Sequence, residues 1–133
     1  MAQSYPIGVL ISKPGQGLVE FLSAHLDGAH FRLLVVLETA RLVEVLVREQ
    51  PPIVILDRVH ERQREARAEL AVVRQYIPRA RVIALSQESS DHDGQIVEQG
   101  VFYYLAAPPG PELVRIIKAA ERSLQENPPR ALS

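Results

Sequence analysis

One carboxylate stands where a folded chain could use it. Residues 51 to 57 read Pro-Pro-Ile-Val-Ile-Leu-Asp, a continuous apolar run of the kind that forms a strand covered on both faces, closed by Asp57. In open parallel sheets the carboxyl ends of the strands open onto the crevice where ligands bind, so an acid there is positioned for chemistry if suitable neighbours surround it. Other constellations are weaker. Lys-Pro-Gly-Gln-Gly at 13 to 17 is a glycine turn where a phosphate could meet helix N–H groups. It lacks the third glycine of a dinucleotide fingerprint and the Gly-Lys-Ser/Thr ending of a P-loop, so an ordinary tight turn is the stronger account. Asp91-His92-Asp93 has the residue types of a metal site, but three consecutive side chains before a helix rarely converge on one ion, and helix capping fits better. No metal site is expected. His25, His30 and His60 have no partners at triad-like spacing. The absence of cysteine excludes disulfides, thiolate metal sites and cysteine nucleophiles.

The elements that must position Asp57 follow a regular rhythm. Ile7 to Ser12 reads as a strand, then Leu18, Phe21, Leu22, His25 and Leu26 recur at helical spacing as far as Gly28. Phe31 to Leu37 is a second strand, and Thr39 can cap a helix carrying Leu42, Val43, Leu46 and Val47 that Pro51 and Pro52 stop. The Asp57 strand is third. Arg58 to Tyr76 turns helical through Leu70, Val73 and Ile77, and Arg81 to Leu85 is a fourth strand. A weak helix from about Ser90 to Gln99 ends at Gly100. Val101 to Leu105 makes a fifth strand, and Pro111 opens a helix with Leu113, Ile116, Ile117, Ala120 and Leu124 on one face. A (βα)5 chain of this length requires parallel pairing with right-handed crossovers, hence an α/β doubly wound sheet in three layers. With 133 residues, 47% hydrophobic, it is one domain. A net charge of −1 gives no general pull toward nucleic acid or an anionic membrane. The start has no basic segment, and Ile7 to Ile11 is too short for a signal peptide or a membrane span, which leads to the expectation of a cytoplasmic protein. Residues 125–133 are breaker-rich and read as a flexible tail or the start of a linker, leaving 1–124 as the domain.

Three segments together, Pro-Pro-Ile-Val-Ile-Leu-Asp, Arg-Val-Ile-Ala-Leu-Ser at 81 to 86 and Gln-Gly-Val-Phe-Tyr-Tyr-Leu-Ala-Ala-Pro at 99 to 108, resemble the third, fourth and fifth strands of two-component receiver domains. The resemblance covers residues 7 to 124. It implies the flavodoxin-like strand order 2-1-3-4-5, Asp57 as the phosphoacceptor position, Ser86 as the hydroxyl position that follows the phosphoryl group, and Tyr104 as the aromatic switch position. It also implies two acids after the first strand and a lysine after the fifth, because phosphoryl transfer to a carboxylate depends on neutralisation by Mg²⁺ and a cationic side chain. Here Ser12 and Lys13 stand after the first strand and Ala107 after the fifth. No acid precedes Glu20, and the only lysines are Lys13 and Lys118, so a shift of register cannot restore the parts. Mg²⁺ binding is expected to be weak or absent.

The first functional expectation is therefore a degenerate receiver, or pseudo-receiver, that binds proteins rather than acting as an enzyme. Under it, the Lys13 ammonium either pairs with Asp57 in place of a metal or snorkels to solvent. The second expectation is a phosphorelay receiver modified on Asp57 by a histidine kinase. The simple alternatives are that Asp57 ends a strand and Ser86 fills a turn. Phe102 and Tyr103 fall at positions commonly polar in the family, on an edge strand beside the last helix, which suggests an interface for a kinase, an output domain or a second copy of the chain. The alternative is that one of the two turns into the core. Between Arg58 and Arg81 lie seven arginines, interleaved with Glu61, Glu65 and Glu69. This is the look of a solvated, self-paired helix face rather than a nucleic-acid footprint.

Overall fold

Alternating buried runs and amphipathic segments build one sheet with helices on both faces. The computed structural model describes residues 6–86, 101–106 and 108–126. The elements are β1 (Ile7–Ser12), α1 (Leu18–His25), β2 (Phe31–Val36), a 3₁₀ turn (Thr39–Arg41), α2 (Leu42–Glu49), β3 (Ile53–Leu56), α3 (Gln63–Tyr76), β4 (Arg81–Ser86), β5 (Tyr103–Ala106) and α4 (Pro111–Glu126). The five strands are parallel, in the order β2-β1-β3-β4-β5. The expected α/β architecture and strand order are those observed. The helix predicted at about 90–99, the Asp91-His92-Asp93 segment, Ala107 and residues 127–133 lie outside the described residues. Gln125 and Glu126, assigned to the tail by composition, continue α4.

The sheet divides the apolar side chains into two cores. Val9, Ile11, Ile53, Ile55, Ile83 and Leu85 point to the face covered by α1 and α4. Leu10, Val54, Leu56, Val82 and Ala84 point to the face covered by α2 and α3. Strand β3 lies in the middle, and its four residues, Ile53 to Leu56, are at most 1% exposed. Burial of side chains this size stabilises by about 1.5–3 kcal/mol each, so β3 is the most firmly anchored strand, and Asp57 follows directly from it.

Several boundaries differ from the periodicity, among them β5, which begins at Tyr103 rather than Val101. Leu26 ends α1 in extended geometry, because Gly28 and the turn at Asp27 redirect the chain into β2. Thr39 begins a 3₁₀ turn instead of capping α2, whose cap position is Arg41. Its hydroxyl is recruited instead by a buried acid from α3, Glu69.

Candidate functional site

Asp57 ends its strand 5% exposed, and both carboxylate oxygens are already engaged. Gly15 N–H donates to Oδ2 at 2.6 Å and the Arg58 N–H donates to Oδ1 at 2.8 Å. The loop of residues 13–17, considered above as a phosphate cradle, thus folds over the acid and binds it from within the chain. Gly15 leaves room for this approach: a Cβ there would stand 3.3 Å from Oδ2 and 3.4 Å from the Arg58 side chain, close enough that one of them would have to give. Two non-glycine residues, Lys13 at φ 51° and Arg58 at φ 51°, adopt the left-handed conformation where β1 and β3 end. That geometry costs about 1–2 kcal/mol for an L-residue and persists where surrounding contacts over-determine it. One such contact is the Arg58 guanidinium, which donates to the Lys13 carbonyl at 3.3 Å.

The Lys13 ammonium does neither of the two things expected of it. It pairs with Glu65 at 2.6 Å rather than with Asp57 or bulk water, with the Lys13 side chain 18% exposed. Glu65 belongs to the first turn of α3, which the 58–62 connection brings over the end of β1. The Lys13 ammonium, and more weakly the Arg62 guanidinium, hold the Glu65 carboxyl below its ordinary range against the opposing effect of burial.

Arg62 and Glu69 form the centre of the site, and for these two the reading of residues 58–81 as a solvated face is corrected, while Glu61, Arg64, Arg67 and Arg79 are exposed as expected. Arg62 Nη1 lies 2.8 Å from Glu69 Oε1, with side-chain exposures of 11% and 0%. Glu69 also accepts from the Ser12 hydroxyl at 2.9 Å and from the Thr39 hydroxyl at 3.0 Å. Arg62 donates onward to the main-chain carbonyls of Asp57 at 2.8 Å and Ser12 at 3.3 Å, so it ties together the ends of β1 and β3. The pairs Lys13–Glu65, Arg58–Glu61 and Arg62–Glu69 leave one acid over, Asp57, which the main-chain N–H groups hold. A hard divalent cation needs free oxygen donors. These donors do not fit one: the nearby carboxylates are taken by ammonium, guanidinium, hydroxyl and N–H groups.

Ser86 and Tyr104 sit where the strand order requires. Ser86 ends β4, next to the strand that carries Asp57, and is 1% exposed. Tyr104 pairs in register with Ala84 and packs partly buried against the α2/α3 core. Phe102 and Tyr103 are 36% and 43% exposed, so neither turns into the core. Together with Glu112, Arg115, Ile116, Ala119 and Arg122 of α4 they line a shallow groove of about 350 Å³. Phe102 lies just before β5, and its N–H donates to Val82 O at 2.7 Å. His25 bonds the Phe21 carbonyl, His30 meets Glu121, and His60 lies near Gln63, so these three histidines stand apart. Among the described residues no helix is long and apolar enough to cross a membrane.

No protein-family model and no curated protein matches the chain. Solved structures do. A response regulator from Thermotoga maritima superposes with a TM-score of 0.71 at 21% identity, covering 86% of this chain and 97% of that one. An orphan response regulator of H. pylori gives 0.71 at 16% identity, covering 89% and 98%. A Burkholderia pseudomallei response regulator, solved with a phosphorylated aspartic acid, a calcium ion and citrate, gives 0.67 at 18% identity, covering 92% and 75%. Strand order, layer arrangement and these superpositions agree that the chain has the fold of response-regulator receiver domains.

Proposed function

We propose that this domain is a pseudo-receiver, a cytoplasmic signalling module that binds another protein and works without Mg²⁺-dependent phosphotransfer. The observation that carries the reading is the buried Arg62–Glu69 pair with its attached hydroxyls and carbonyls. It neutralises the end of the crevice with the chain's own charges, where the transfer reaction calls for a metal and free acids. Attaching a phosphoryl group to Asp57 would displace either the Gly15 or the Arg58 N–H and add negative charge beside Glu65 and Glu69. The Phe102–Tyr103 groove on β5 and α4 is the proposed docking face for a kinase or an output domain, since aromatics are enriched where interfaces bury their surface.

A second reading, a phosphorelay receiver, has one observation in its favour: Asp57 and Ser86 end neighbouring strands, and Tyr104 lies one strand beyond. Two-dimensional NMR and intact mass with Mg²⁺ and then beryllofluoride separate the two. The pseudo-receiver gives an unchanged spectrum. Shifts spreading from Asp57 to Ser86 and Tyr104 would establish the phosphorelay reading instead.

A further inference from the structure

Strand β2 ends the sheet, and among the described residues no strand covers its outer edge. The carbonyls of His30 and Val36 accept from Ile7 and Lys13 on the β1 side. Alternation along the strand then turns the N–H and C=O of Leu33 and Val35 outward. Natural edges of this kind are usually blunted by proline, lysine or a bulge. Residues 32–36, Arg-Leu-Leu-Val-Val, carry none of these and run in unbroken register with β1, and Leu37 and Glu38 follow the strand, Glu38 in extended geometry. Val35 is 42% and Leu37 71% exposed.

We infer that this edge binds a second copy of the chain, β2 against β2 in antiparallel register about a two-fold axis at Val35. The segment is complementary to itself about that residue. Val35 meets Val35 of the second copy, Leu33 meets Leu37, and Arg32 meets Glu38. Residues opposed in an antiparallel pair share a sheet face, so the two apolar pairings fall on one face and the charged pairing on the other. The outward main-chain groups of Val35 are those that a pair centred there exchanges. Glu38 has no ion pair among the described residues, whereas Arg32 is 59% exposed and bonds Glu49. Glu49 keeps Arg48 as a partner if Arg32 turns across the seam. A groove of about 380 Å³ between residues 35–38 and the Arg41, Glu44 and Arg48 side of α2 leaves room for the facing strand. An interface of this sort is isologous and closes as a dimer, with one continuous sheet across both copies. It leaves the Phe102–Tyr103 groove free, and it stands whether or not Asp57 accepts phosphate.

Sedimentation velocity across the micromolar range tests the proposal. Wild type sediments as a dimer, the Val35→Lys/Leu37→Lys variant as a monomer, and the Phe102→Lys/Tyr103→Lys variant still as a dimer. Glu38→Arg and Arg32→Glu each weaken self-association by about tenfold or more, and mixing the two restores a heterodimer, because each then offers the charge the other lacks. A monomeric wild type overturns the inference. So does a dimer that survives the β2 lysines, or one lost only with Phe102 and Tyr103. The substituted β2 side chains are exposed, and circular dichroism confirms that the monomeric variant is folded.

Discussion

Removing Arg62 should be among the most costly changes in this chain, although the residue is an arginine on what reads as a surface helix. Arg62→Ala leaves the fully buried Glu69 carboxylate without its cation and removes the donor that holds the Asp57 carbonyl at 2.8 Å. Breaking one side of a buried pair costs about 3–5 kcal/mol, chiefly through the uncompensated charge that stays behind. Total stability for a single domain is about 5–15 kcal/mol, so the variant should unfold at a much lower urea concentration with an unchanged slope. The same argument fixes the double mutant. Arg62→Met with Glu69→Leu removes both charges and refills most of the volume, which for buried pairs is often neutral or stabilising. Ser12 and Thr39 then lose their acceptor, which takes back about 1–3 kcal/mol. The double mutant should therefore be at least as stable as Arg62→Met alone, giving a coupling energy of about 2 kcal/mol or more. Urea unfolding followed by circular dichroism measures all four corners of the cycle. An Arg62→Ala cost under about 1 kcal/mol, or losses that simply add, would refute the claim that this pair organises the site.

Two further outcomes test the surroundings. Gly15→Ala should destabilise by about 1 kcal/mol despite the usual gain from replacing glycine, because the new Cβ would crowd Asp57 Oδ2 at 3.3 Å while the carboxylate is held by one N–H group at each oxygen; a more stable variant in the same urea assay would show that the loop is not drawn onto Asp57. The Glu65 carboxyl is lowered from 4.5 in the folded state, so its pairing with Lys13 stabilises above that value and is lost as pH falls through the folded pKa. With Glu65 39% exposed the effect is small, below about 1 kcal/mol, and the stability gap between wild type and Lys13→Met should close on acidification below 4.5. A gap that stays constant or widens on acidification would refute the pairing.

The sequence by itself determined the layers, the strand count and the place of Asp57, because burial on both faces of a parallel sheet leaves a local signature: an unbroken apolar run closed by a polar residue. It also determined that Ser12 and Lys13 stand at the end of β1, since that needs only the end of a strand and the identity of the next residues. For Phe102 and Tyr103 the expectation of exposure came from the family resemblance and the edge position, with burial of one of the two as the alternative that the structure removes. What tertiary structure alone decided is where the charges of residues 58–69 go. Interleaved Arg and Glu at helical spacing have the same pattern on a solvated face as in a buried network, and periodicity cannot tell them apart. The partners that draw Arg62 and Glu69 inward are Ser12 and Thr39, remote in sequence, and a left-handed turn at Arg58 that no local rule places there. Likewise, the run from Phe31 to Leu37 looks like an interior strand. No local pattern shows otherwise; the strand order 2-1-3-4-5, which the resemblance implied and the structure shows, sets β2 at the end of the sheet and leaves Val35 and Leu37 in water.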